Sequence, residues 1–201
     1  MLARVKRFLF VAIVAIVACG PAPAPIAPVP TPLDTIPLSE ASLGPLTTST
    51  RASLIALRAV LRGYSVVPIN VGTDPEFPSL EYQVFDDDHP LFTVVPDDEG
   101  NILNVHVVTP KVTMAGRPWR VGEPFKGSIT DCDCWGGKLV CFKKGEHVAV
   151  TFDRRCRSTF DARAKRALQG TAIKKLVWSP KAFGGDAYGG AEYGGEDLLG
   201  P

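Results

Sequence analysis

From Tyr64 onward the chain breaks into short β-prone runs: YSVV, EYQVF, LFTVV, ILNVHVV, GGKLVCF and HVAVTF. Segments such as DDDHP and DDEGN separate them, rich in residues that form tight turns. Several runs alternate in polarity, with Ile102, Asn104 and His106 set against Leu103, Val105 and Val107. Closely spaced runs with short polar turns specify antiparallel hairpins rather than crossover units, because a parallel crossover needs a dozen or more intervening residues. A final run, IKKLVWSP, follows a short helical stretch expected at Asp161 to Leu168. The strongest helical pattern precedes the runs, in TRASLIALRAVLRG from Thr50 to Gly63. There Leu54, Leu57 and Leu61 make one apolar stripe, Thr50 suits the N-cap, Arg58 and Arg62 lie toward the negative end of the helix dipole, and Gly63 suits the position past the C-terminus. The expected fold class is α+β: an antiparallel β-sheet built from hairpins, packed on one face by an N-terminal helix.

The two ends have different compositions. MLARVKRFLFVAIVAIVACG carries Arg4, Lys6 and Arg7 before an uncharged apolar run from Phe8 to Ala18, a signal-peptide core too short to span a bilayer. A plain secretory signal would end in an Ala-x-Ala-like site, whereas here Ile16-Val17-Ala18-Cys19 resembles a bacterial lipobox. That resemblance implies cleavage before Cys19, a diacylated thiol and an acylated amino terminus. Two or three acyl chains, at about 0.8 kcal/mol per buried methylene, give a durable anchor where one would bind marginally. Gly20 in place of Asp resembles the outer-membrane sorting pattern.

Residues 1–18 read as signal peptide and 19–41 as lipidated cysteine and proline-rich linker. GPAPAPIAPVPTPL at 20–33 lacks donors for a helix or a central strand and favours an extended polyproline spacer on the order of 40 Å long. Residues 42–180 form the globular domain. The segment 181–201 reads as a disordered tail, with the glycine-paired units GGDAY, GGAEY and GGEDL presenting Tyr188 and Tyr193. Without residues 1–18 the chain holds 19 basic and 21 acidic residues, so it has no cationic excess to follow a phosphate backbone and no nucleic-acid partner is expected.

The compartment decides the chemistry of DCDCWGGKLVC at 131–141. With Cys19 carrying lipid, Cys132, Cys134, Cys141 and Cys156 remain, an even number in an oxidising space. A two-residue turn at Gly136-Gly137 places Trp135 opposite Lys138, Cys134 opposite Leu139, and Cys132 opposite Cys141. The last is a non-hydrogen-bonded pair, whose Cα separation of about 4.5 Å lies within disulfide reach. Cys134 with Cys156 follows by elimination. Zinc on Cys132, Cys134, Cys141 and His147 is the rival drawing, but no CxxC pair is present, and a redox-active Cys134–Cys156 lacks the helix-start motif that lowers a thiol pKa.

The clusters Asp86-Asp87-Asp88 and Asp97-Asp98-Glu99 are candidates for sharing a calcium ion if both turns lie at one end of the sheet. Their spacing is that of turns rather than of a dedicated calcium loop. No metal and no cofactor is expected. The chain contains no G-x-S-x-G elbow, H-E-x-x-H, phosphate loop or dinucleotide fingerprint, so no catalytic residue is assigned and the chain is read as non-enzymatic. His89, His106 and His147 are isolated, and His106 beside an acidic turn is the place where a dispersed catalytic site would be sought. Trp119, Trp135 and Trp178 serve either as core or as interface anchors.

The segments LGPLTTSTRASLIALRAVL, VVTPKV, WRVGEPF, GKLVCF, HVAVTFDR and IKKLVWSP, in that order across roughly 43–180, resemble a family of small sigma-E-regulated bacterial envelope lipoproteins of unknown function. The resemblance implies a lipid-anchored protein with an α+β domain and offers no catalytic residues. The extra cysteines and the Gly/Tyr tail depart from it. A weaker likeness, in helix-then-hairpins order and in VGEPF, is to small lipoproteins of the outer-membrane assembly machinery and to the β-lactamase-inhibitor fold, which are binding proteins. The expectation is therefore a lipid-anchored envelope protein, on the outer membrane and facing the periplasm. It binds a protein partner or supports envelope integrity; the alternative is a ligand- or peptidoglycan-binding module.

Overall fold

A computed structural model of the chain describes residues 34–72, 79–135, 137–156 and 168–184. The signal and lipidation segment with Cys19, the spacer at 20–33, all but Leu168 of the helix expected at Asp161 to Leu168, and the tyrosines Tyr188 and Tyr193 lie outside the described residues. Three short strands come first: β1 (Ile36–Leu38), β2 (Ser42–Leu43) and β3 (Leu46–Thr47). After them come α1 (Leu54–Val60) and the meander β4 (Ser65–Asn70), β5 (Leu80–Asp86), β6 (His89–Pro96) and β7 (Ile102–Val107). Then come β8 (Val112–Met114), β9 (Asp131–Trp135), β10 (Lys138–Phe142), β11 (Val148–Arg155) and β12 (Lys175–Trp178).

These strands build two sheets. The larger has eight strands in the order β4-β5-β6-β7-β12-β11-β10-β9 and is antiparallel throughout. The smaller has the order β3-β2-β1-β8, with β1 and β8 parallel. Each run read from the sequence becomes a strand of the larger sheet. The closing run inserts as β12 between β7 and β11, where it joins the meander to the cysteine-bearing hairpin.

One row of side chains crosses all eight strands in register: Val66, Val84, Phe92, Val107, Leu176, Val150, Cys141 and Cys132. Every member is buried. The period of two thus delivers a continuous apolar inner face, on which Ile36, Leu43, Leu57, Trp119, Phe125 and Ile173 pack.

The α+β expectation is overturned. The protein is mostly β, and the sheet is far larger than a hairpin layer under one helix. α1 is only seven residues long and, among the strands, packs chiefly on β4. The small sheet and the 119–129 loop cover most of the remaining inner face. The helix is shorter than the Thr50–Gly63 pattern in part because Ser53, not Thr50, caps it, accepting from the Ala56 N–H at 3.3 Å. Thr50 instead turns its hydroxyl to the Thr47 N–H at 3.0 Å. Leu57 and Leu61 are buried as the stripe requires, but Arg62 lies beyond the helix, leaving Arg58 alone in the last turn.

The folded body also exceeds 42–180. Ile36 and Leu38 in the expected linker are core, and Phe183 in the expected tail is fully buried.

Candidate functional site

The cysteine hairpin forms in the register read from its paired glycines. Lys138 pairs with Trp135, Leu139 with Cys134, Val140 with Asp133 and Cys141 with Cys132. Gly137 supplies the turn with φ 72°, a left-handed value that glycine adopts without steric cost. Two disulfides are present, Cys132–Cys141 with Cα atoms 4.0 Å apart and Cys134–Cys156 at 5.7 Å. They are consistent with a periplasmic or envelope protein. With every one of these sulfurs bonded to another, the zinc drawing dissolves. His147 is engaged elsewhere, its backbone N–H donating to Glu40 Oε2 at 2.6 Å and its Nδ1 2.9 Å from the Ser179 carbonyl.

The two acidic turns do not share a site. They are successive turns of a meander, at opposite ends of β6, so eight strand residues at about 3.3 Å each separate them. Asp86 pairs with Lys111. Asp87 takes the positive φ of its turn, a region that aspartate tolerates. Asp97 caps its own turn, accepting from the backbone N–H groups of Asn101 at 2.7 Å and Glu99 at 3.1 Å. Burial pushes the Asp97 carboxyl upward, but these hydrogen bonds outweigh it and hold the pKa below its ordinary value.

His106 lies on the outer face of the sheet, opposite Thr93 and Val177. Burial, reinforced by Lys175 and Lys138, pushes its pKa down to about 4. Its charged neighbours are therefore cations, and neither acidic turn is among them. Burial and Lys138 lower the pKa of Lys175, against the pull of Glu81. Burial raises that of Glu81 against the pull of Lys175.

The tryptophans resolve mainly as core. Trp178 is completely buried on the inner face, its Nε1 3.4 Å from the Glu40 carbonyl. Trp119 is also buried, donating to the Lys126 carbonyl at 2.9 Å and packing on Phe125 with centroids 5.7 Å apart. Neither is a surface anchor, because each ring closes a gap between the sheet and what covers it. Trp135 is half-buried on the outer face beside Phe183, at 5.8 Å. There Val140, Phe142, Ala149, Val177 and Phe183 form a second apolar cluster.

The concave feature that sequence reading missed lies beside Trp119. A cleft of about 330 Å³ opens between β8, through Thr113 and Met114, and the segment 117–126. Its wall combines Pro118, Trp119 and Pro124 with three cations, Arg117, Arg120 and Lys126, and one carboxylate, Glu123. Arg117 is held from several sides: its guanidinium lies 4.5 Å from the Trp119 ring centroid, and Nη2 pairs with Glu146 and stands 3.6 Å from Glu40. Burial works upward on Glu146, and Arg117 and Lys143 outweigh it to hold its carboxyl below the usual range. Arg120 and Lys126 are exposed and form no ion pair among the described residues. The signal for this cleft was the interleaving of Arg117, Arg120, Glu123 and Lys126 with two prolines and a tryptophan within ten residues. Among the described residues no helix is long and apolar enough to cross a membrane.

No family model matches the chain, and no curated protein matches it. Its fold is found in the crystal structure of the uncharacterized protein yfeY from Escherichia coli. The likeness has a TM-score of 0.51 and 20% sequence identity, and covers 71% of this chain and 98% of that one. At this identity the similarity shows a shared fold and nothing finer.

Proposed function

We propose that this chain is a lipid-anchored protein of the bacterial cell envelope, held by Cys19 on the outer membrane and facing the periplasm, that acts without catalysis by binding a protein partner. On this reading it belongs with the small sigma-E-regulated envelope lipoproteins that its sequence resembles. The carrying observation is the pair of disulfides within one stretch of sheet, chemistry that persists where thiols are oxidised. The lipobox-like IVAC and the fold shared with yfeY support it.

The test has two arms. A fatty-acid probe should label the wild type and not Cys19→Ala; equal labelling removes the anchor. Crosslinking in intact envelopes should capture a protein with the wild type, and its failure removes the partner. A second reading, a ligand- or peptidoglycan-binding module, is favoured by the cation-rimmed cleft. Enrichment of a glycan fragment on the purified protein, with no captured partner, would put that reading first.

A further inference from the structure

We infer that the end of the larger sheet where β11 stops and β10 and β12 begin is a basic surface that rests on an anionic bilayer, with Lys138, Arg155, Lys174 and Lys175 set against lipid phosphates. This goes beyond partner binding and takes from the lipid-anchor reading only the nearness of a membrane.

Two independent features carry it. The first is a concentration of like charge. Strands β5, β7 and β11 run in one direction and β10 and β12 in the other, so the last residues of β11 and the first of β10 and β12 share one end of the sheet. There Lys138 faces Arg155 directly across the ladder, and Lys175 faces Thr151. Lys174 precedes β12, its N–H donating to the Thr151 carbonyl at 2.8 Å. Lys138, Arg155 and Lys174 are exposed, and Lys175 is half-buried. Burial, and after it Lys138 and Lys174, lower the pKa of Lys175 against the pull of Glu81, so Lys175 lies in the field of both cations.

Like charges directly opposite on neighbouring strands cost stability. The chain nevertheless clamps these together: the Cys156 N–H donates to the Gly137 carbonyl at 3.2 Å, and the Cys134–Cys156 bridge fixes the end of β11 beside the β9–β10 turn. Asp133 on β9 and Asp153 on β11 are close in the chain, but neither forms an ion pair with Lys138, Arg155, Lys174 or Lys175 among the described residues. The sequence that joins β11 to β12 adds Arg157, Arg163, Lys165 and Arg166 against Asp161 alone, so its composition does not offset the charge. An anionic surface relieves this repulsion, and each basic side chain that meets it strengthens binding roughly fivefold.

The second feature is where the tether enters. Ile36, the first residue of β1, donates its N–H to the Lys111 carbonyl at 3.0 Å, and Lys111 pairs with Asp86 at the end of β5. The spacer from Cys19 therefore joins the domain at the end that carries the cations, and an anchored chain meets the bilayer there at high effective concentration. The acidic turn Asp86-Asp87-Asp88 shares this end, but three strand spacings of about 4.8 Å separate β5 from β12. The stapled half of the sheet is thus the side that leans on the lipid.

The experiment uses the chain from residue 19 onward with Cys19→Ala, so that no acyl group contributes. It is sedimented with vesicles of phosphatidylcholine alone or mixed in equal parts with phosphatidylglycerol. The chain should bind the mixed vesicles about tenfold or more tightly than the neutral ones, and salt should release it. Lys138→Glu with Lys174→Glu should lose about tenfold or more. Lys144→Glu with Lys181→Glu makes an equal change of charge beyond the opposite ends of β10 and β12, and should stay within about twofold of the starting chain. Because a carboxylate at position 138 would face Arg155, the first pair should melt no lower than the starting chain, which separates lost binding from lost fold.

Equal binding to both kinds of vesicle, equal losses from the two variant pairs, or no binding at all overturns the inference. So does capture of an acidic protein through Lys138 and Lys174 by a chain that ignores the vesicles, an outcome that assigns the basic end to a partner. Fatty-acid labelling of the wild type separates the two levels. If Cys19 takes no lipid and the vesicle preference holds, the anchor reading fails and the basic end stands. If Cys19 is labelled and the preference is absent, the anchor stands and the inference fails.

Discussion

The two halves of the eight-stranded sheet share one inner row of side chains and differ in what holds them together. The meander β4–β7 holds no disulfide, and its outer face is polar, with Gln83, Thr93 and His106 in line. The other half, β9–β12, is stapled by two disulfides, and its outer face is sealed by Phe183 against Val140, Phe142 and Val177. The terminal strands differ correspondingly: the edge of β4 is blunted by Pro68 and the Arg58 contact, and β9 is tied covalently to β10 and to Cys156. At β4 the backbone itself is made unfit for further pairing, whereas at β9 the crosslinks fix the strand in register against β10.

Replacing all four disulfide cysteines by alanine should have the largest effect. Each bridge closes a loop worth about 3 kcal/mol, so the variant should lose on the order of 5 kcal/mol in denaturant midpoint measurements. Hydrogen exchange should rise first in β9 and β10 while β5 and β6 stay protected; equal rises would show that the halves are one cooperative unit.

Phe92→Ala strikes the meander from within the inner row and should cost about 3 to 4 kcal/mol. Phe183→Ala strikes the stapled half from outside, at about 3 kcal/mol, and its exchange signature should stay within β10–β12. Matching signatures for the two would abolish the distinction between the halves.

A pH titration isolates the polar face. His106 has a folded pKa of about 4 against an ordinary 6.5, so the unfolded chain takes up the proton first. Stability should be full above about pH 6.5 and fall as pH drops toward 4, by on the order of 2 to 3 kcal/mol. His106→Gln should flatten that slope; an unchanged slope would show that His106 is not the group responsible. The smallest effect should be that of Arg58→Ala, about 1 kcal/mol, with self-association through the uncovered Val66 carbonyl measured by sedimentation.

What the sequence disclosed follows from how local each signal is. The pairing of Cys132 with Cys141 could be read because two adjacent glycines and the period of two settle a hairpin without outside help. The strands of the larger sheet were visible because each is long enough to alternate or to run apolar. The smaller sheet was not, because its strands have two or three residues and leave no period to detect. That omission made the helix seem the principal cover of the sheet and produced the α+β expectation. Ser53 was passed over as the cap because Thr50 and Ser53 are chemically alike, and only the preceding turn claims the hydroxyl of Thr50. The cleft escaped notice because its charged residues occupy irregular chain, where no periodicity predicts which side chains converge.

The position of β12 has a kinetic consequence. A chain made amino terminus first delivers β7 and β11 before Lys175–Trp178, so the two half-sheets cannot be joined until almost the whole domain has emerged. During that interval β7 and β11 each expose an unpaired strand edge with Val107 or Val150 on its apolar face. Late closure of so non-local a pairing favours slow folding and a need for protection from other chains. A chain cut before residue 175 should leave those edges open permanently and aggregate rather than remain half-folded.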